Sequence, residues 1–103
     1  MIKNFLFSVL ISSSLLIAEV IIDVRTPEEF QSARLNKAIN IEWQNILSIQ
    51  NNINKTEKIY LYCRSGNRSQ RATEILVNAG FVNVENLGSL QQASETLNLK
   101  IIK

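Results

Sequence analysis

The chain has 103 residues, 46% of them hydrophobic, with eleven basic and nine acidic side chains and no histidine. That composition suits one small globular domain, and with no long basic run or aromatic-basic alternation it does not argue for a nucleic-acid binder. Without histidine there is no Ser-His-Asp triad, no Cys-His pair and no histidine zinc site, and a single cysteine, Cys63, excludes an internal disulfide or a multi-cysteine metal site.

Residues 1–18, MIKNFLFSVLISSSLLIA, carry Lys3 near the start, an uncharged apolar run from Phe5 to Ala18 broken only by serines, and a small residue at the end. This pattern resembles a secretory signal peptide with cleavage after Ala18, although Leu16 fits poorly where a small residue is usual. The run is short for a spanning helix, since Glu19 ends it, but an uncleaved membrane anchor remains the alternative. The expectation is therefore an exported domain over residues 19–103, touching a membrane only if the leader stays attached.

From Glu19 onward short apolar runs alternate with helical patterns, and no linker or repeat divides them. "EVIID" running into Val24 predicts a strand apolar on both faces, as in a covered parallel sheet. In "TPEEF", Thr26 can cap a helix, Pro27 fits its first position and Glu29 sits where a capping box places its carboxylate. "KAINI" predicts a second short strand. "EWQNILSI" predicts a short helix with Trp43, Ile46 and Leu47 on its apolar side. "KIYLYC" is the clearest strand and runs into Cys63. Ala72, Ile75, Leu76 and Ala79 then form a helical stripe that stops at Gly80, a natural left-handed C-terminal position. "VNVENL" predicts a last inner strand, Ser89 can cap a helix to about Leu97, and "LKIIK" can add an edge strand. Strands alternating with helices imply an α/β fold: a small parallel sheet with helices on both faces.

In such sheets ligands bind where strand carboxyl ends meet helix amino ends, and Cys63 stands at that junction. The segment "YLYCRSGNRSQRA" places the lone thiol beside Arg64, Arg68 and Arg71. Arg64, Ser65, Gly66 and Asn67 form a short polar turn before a helix, and both Gly66 and Asn67 tolerate positive φ. Such a turn can aim successive backbone N–H groups at an anion. A free thiol is mostly protonated at neutral pH, whereas N–H donors, a helix N-terminus and nearby arginines favour the thiolate. The loop can thus replace the missing imidazole.

The segments "IIDVRTPEEF", "KAINI", "YLYCRSGNRSQRATEIL" and "GFVNVENLGSL", in that order over residues 20 to 90, resemble the rhodanese family of single-domain sulfurtransferases, the small periplasmic members in particular. The resemblance implies a persulfide mechanism without metal or organic cofactor. Cys63 is then the nucleophile and sulfur carrier; Arg64, Ser65, Gly66, Asn67, Arg68 and Ser69 form the anion cradle; Asp23 and Arg25 brace the site as structural support. The implied partners are a small anionic sulfur donor, thiosulfate or a polysulfide, and a thiol or cyanide acceptor. Related phosphatases and arsenate reductases share the fold but carry one more residue between cysteine and arginine. The four-residue spacing from Cys63 to Arg68 resembles the sulfur-handling version. The other readings are a sulfur-carrier or docking module without turnover, and a redox sensor whose partner thiol would come in trans.

The chain departs from the family pattern at "SARLNKAINI", where Arg34 and Leu35 stand in place of a Gly-His pair and Lys37 in place of glycine. At "LGSLQQA" a Gly-Gly followed by tryptophan is absent. These positions bear on substrate choice more than on the reaction. Arg71 is expected at the rim of the site, and Trp43 and Phe30 in the core.

Overall fold

The computed structural model describes residues 19–103; the leader and its cleavage site after Ala18 lie outside the described residues. In chain order the elements are β1 (Glu19–Asp23), α1 (Pro27–Ser32), β2 (Arg34–Leu35), β3 (Ile39–Asn40), a 3-10 helix (Trp43–Asn51), β4 (Lys58–Cys63), α2 (Asn67–Asn78), β5 (Val84–Ser89), α3 (Leu90–Leu97) and β6 (Ile101–Ile102). Four strands form a parallel sheet in the order β3-β1-β4-β5.

Strand alternation divides the core into two layers. Val20, Ile22, Ile59, Leu61 and Cys63 point to the side covered by the 3-10 helix and α2, where they meet Ile46, Ile49, Ala72, Leu76 and Phe81. Ile21, Tyr60 and Tyr62 point to the other side, against Leu35, Leu87 and Ala93 of β2, β5 and α3. Both faces are covered, as the doubly apolar strands predict. Ile22, Ile59, Leu61 and Leu76 are fully buried, and truncating such a side chain to alanine costs about 2 to 5 kcal/mol.

The starts of α1 and α3 follow the sequence closely. Thr26 accepts from the Glu29 N–H while the Glu29 carboxylate accepts from the Thr26 N–H, a complete capping box with Pro27 in the first turn. Ser89 and Gln92 make the same reciprocal pair at α3.

Three elements form where the sequence places them but differ in detail. "EWQNILSI" winds as a 3-10 helix, not an α-helix, and extends to Asn51. Its buried residues are Ile46 and Ile49, three apart and so eclipsed on a three-residue turn, while Leu47 is left exposed. "KAINI" contributes only Ile39 and Asn40 to the sheet, because the chain at Lys37 turns through a left-handed φ of 75°. The tail strand β6 pairs antiparallel with β2 in a separate two-stranded ribbon rather than extending the main sheet.

One irregularity positions the site. In the β4–β5 pairing Leu61 lies opposite Asn86 but Cys63 lies opposite Ser89, so β5 carries an extra residue there. This bulge contains Gly88, at φ +89°, where a Cβ would collide with the Gln92 side chain of the α3 cap. Bulges re-aim side chains beside functional sites, and this one presents Asn86 to the loop that follows Cys63.

Candidate active site

Cys63 closes β4 and α2 begins at Asn67, leaving three residues to turn the chain. Gly66 makes the turn, with φ +100° at the N-cap of α2. A Cβ there would sit 3.4 Å from the Gly88 Cα, so the loop packs directly on the β5 bulge. Asn67 is the first residue of α2 and has no positive φ.

This turn converges donors on sulfur. The Gly66 N–H lies 3.0 Å from Cys63 Sγ, the Ser69 N–H 3.5 Å and the Ser69 hydroxyl 3.3 Å. Cys63 is only 1% exposed, and burial pushes its thiol up. The Ser69 hydroxyl and the amides of Ser69, Ser65 and Gly66 outweigh that effect and hold it below the ordinary thiol value.

The arginines divide into distinct environments. Arg68, expected beside an incoming anion, is gripped by Glu29 through Nη1–Oε1 at 2.7 Å and Nη2–Oε2 at 3.0 Å. Glu29 therefore ties the start of α1 to the start of α2, and the Arg68 guanidinium holds its carboxyl down to about 2 against the opposing effect of burial. Arg64 is exposed and makes no ion pair or side-chain hydrogen bond among the described residues. Arg71 lies over the Trp43 ring, 5.5 Å from its centroid, and Trp43 itself is half-buried against the core. Phe30 is half-buried beneath the Arg34 guanidinium.

Asp23 and Arg25 form a buried pair at the end of β1. Arg25 Nη2 lies 2.7 Å from Asp23 Oδ2, Nε lies 2.9 Å from Oδ1, and the Arg25 backbone N–H also reaches Oδ1 at 2.9 Å. A further bond from Nη2 to the Ala33 carbonyl ties the far end of α1 to this pair. Breaking one half of such a buried pair strands the other charge and costs about 3 to 5 kcal/mol.

The candidate residues from Cys63 to Ser69 thus meet in one loop. The Ser65 and Asn67 side chains are exposed and make no hydrogen bond to the sulfur. Two residues join the site that sequence reasoning missed in this role. Glu29 is legible only as a helix cap. Asn86 bonds to the Gly66 carbonyl and to Ser69, and as the third residue of β5, next to Glu85 in a strand of mixed polarity, it carries no distinguishing signal in the sequence. Among the described residues no group of three or more His, Cys, Asp or Glu side chains is placed to hold a metal ion.

A thiol at a strand-to-helix turn, with N–H donors aimed at it from a helix N-terminus, can ionise and act as a nucleophile beside a bound anion. The Rhodanese-like domain family model matches residues 11–95. The chain is 38% identical over 76 residues to the thiosulfate sulfurtransferase PspE of Escherichia coli, covering 72% of this chain and 73% of that one. It is 34% identical over 89 residues to the adenylyltransferase and sulfurtransferase UBA4 of Lodderomyces elongisporus, covering 76% of this chain but only 20% of that longer protein. Among solved structures, a rhodanese from E. coli with anions superposes with a TM-score of 0.72 at 33% identity, over 84% of this chain and 99% of that one. The α/β architecture, the loop and these relatives agree: the chain belongs to the rhodanese-like domain family, homologous to thiosulfate sulfurtransferases.

Proposed function

We propose that this protein is a sulfurtransferase that carries sulfane sulfur on Cys63. The observation that carries the reading is the convergence of the Gly66 N–H and the Ser69 N–H and hydroxyl on Cys63 Sγ at the start of α2. In the first half-reaction the Cys63 thiolate attacks the outer sulfur of thiosulfate. A Cys63–sulfur bond forms, the bond to the sulfonate group breaks, and sulfite leaves with the electron pair. In the second, an acceptor thiolate or cyanide attacks the terminal sulfur and departs as a persulfide or thiocyanate, returning Cys63 as thiolate. No net oxidant is needed.

The loop favours the anionic states along this path. Its amides hold the thiolate and then the persulfide, each bond to a charged group being worth about 1.5 to 3 kcal/mol. Arg64, the uncommitted cation, attracts the donor and offsets the charge on departing sulfite. Arg68 acts through Glu29, fixing the helix turn that aims the amides. A sulfurtransferase in the E. coli relative's name and anions in the solved rhodanese both fit this assignment. The composition of residues 1–18 supports export of the domain, and the resemblance to small periplasmic rhodaneses points to a periplasm as its destination. N-terminal mass analysis of periplasmic material tests that: a chain beginning at Glu19 supports cleavage, and one retaining residues 1–18 contradicts it.

The activity is tested by thiocyanate release from thiosulfate and cyanide. The folded protein should turn over and Cys63→Ser should not. Turnover surviving in Cys63→Ser refutes the mechanism, and no turnover by the reduced protein with either thiosulfate or polysulfide refutes the activity.

A further inference from the structure

We propose that Asn86 is a positioning residue that sets the acidity of Cys63 by competing with its sulfur for the single proton of the Ser69 hydroxyl. This rests on the reading of Cys63 as the reactive group, but not on the identity of the sulfur donor.

The Ser69 hydroxyl has one proton to donate. Three acceptors surround it: Asn86 Oδ1 at 2.6 Å, the Gly66 carbonyl at 3.2 Å and Cys63 Sγ at 3.3 Å. The Asn86 contact is at the short end for O–H···O bonds. Its neighbours also fix which way the carboxamide points. Asn86 Nδ2 faces two acceptors, the Gly66 carbonyl at 3.1 Å and Gln70 Oε1 at 3.2 Å. Asn86 Oδ1 faces the Gly88 N–H at 2.9 Å as well as the hydroxyl. Rotating the carboxamide would set donor against donor at Gly88 and acceptor against acceptor at Gly66 and Gln70. The oxygen therefore stays turned to Ser69.

Two arrangements follow for one hydroxyl. With the sulfur protonated, the Ser69 hydroxyl donates to Asn86 Oδ1 and its oxygen is free to accept from the thiol. With the sulfur ionised or carrying a persulfide, the hydroxyl gains by turning to the anion, but only by giving up the short bond to Asn86. Asn86 thereby subtracts from the stabilisation that Ser69 offers the thiolate. The β5 bulge supplies this competitor, since it brings Asn86 and the Gly88 N–H to the loop together.

The experiment is a pH titration of thiolate absorbance in the ultraviolet, using the reduced full chain with Cys63→Ser as the blank; a buried thiol needs no reagent access for this readout. Asn86→Leu removes the competing acceptor, while the Gly66 carbonyl keeps its bond from the Gln70 N–H. The midpoint should move down by about half a unit to one unit, a three- to tenfold gain in thiolate at any pH below both midpoints. In a Ser69→Ala background the same substitution should leave the midpoint where it was. An unchanged or raised midpoint in Asn86→Leu, or an equal shift without the Ser69 hydroxyl, overturns the proposal. If circular dichroism shows that Asn86→Leu does not fold, the smaller Asn86→Ala replaces it. It removes the same acceptor without adding charge and should lower the midpoint in the parent but not in the Ser69→Ala background, and an equal shift in both overturns the proposal. Because the readout is a titration, its outcome is separate from whether the protein transfers sulfur.

Discussion

Replacing Glu29 with glutamine separates the strap to Arg68 from the helix cap. Glutamine retains a side-chain carbonyl oxygen to accept from the Thr26 N–H, as capping boxes allow, but loses the charge that grips Arg68. The Glu29 carboxyl lies at about 2 against an ordinary 4.5, a difference of about 3 kcal/mol in favour of the ionised folded form. The two side chains remain 29% and 27% exposed, so solvent screening reduces the expected contribution to about 1 to 2 kcal/mol. A carboxyl depressed on folding stabilises the protein above its unfolded value near 4.5, and that stability is lost as pH falls through about 2. Urea unfolding followed by circular dichroism should therefore show Glu29→Gln weaker than the parent by about 1 to 2 kcal/mol at pH 7. The gap should close between about pH 5 and pH 2. A gap of the same size at both ends, or none at pH 7, would refute the assignment of Arg68 to the strap.

Three further substitutions separate binding from folding. Arg64→Ala removes a cation that makes no ion pair or side-chain hydrogen bond among the described residues; kcat/KM for thiosulfate should fall about tenfold or more, with the melting temperature almost unchanged, and an unaltered kcat/KM would remove Arg64 from the cradle. Gly66→Ala forces a side chain into φ +100° against Gly88; thermal unfolding should show a loss of about 1 to 3 kcal/mol, and the displaced N–H should raise the Cys63 titration midpoint. Lys37→Gly relieves a left-handed non-glycine residue at φ 75° and should stabilise the fold by up to about 1 kcal/mol in urea. Destabilisation there would mean that the Lys37 side chain contributes more than its backbone strain costs.

What the sequence could show follows the range of each interaction. Thr26, Pro27 and Glu29 specify a helix start within four residues, and the stripe of Ala72 and Leu76 ending near Gly80 specifies α2, because these signals act over one or two turns. The turn after Cys63 was legible for the same reason. Glu29 and Arg68 are 39 residues apart, and nothing local at Glu29 distinguishes a cap from a cap that also holds an arginine. Asn86 was equally hidden, since its importance depends on a bulge that arises only when β5 pairs with β4. The β2–β6 ribbon rests on two residues in each strand and is set by tertiary contact, beyond the reach of periodicity. The 3-10 winding of Trp43–Asn51 was the subtler case, because Ile46 and Leu47 together mimic an α-helical face while the buried pair is Ile46 and Ile49.

The central claim is that Cys63 itself becomes the sulfur carrier. The most direct measurement is the intact mass of the reduced protein before thiosulfate, after it, and after later addition of cyanide, with Cys63→Ser alongside. The parent alone should gain one sulfur atom and lose it again on cyanide as thiocyanate appears. Sulfur uptake by Cys63→Ser, or a folded and reduced parent whose mass does not change with thiosulfate or polysulfide, would contradict the claim.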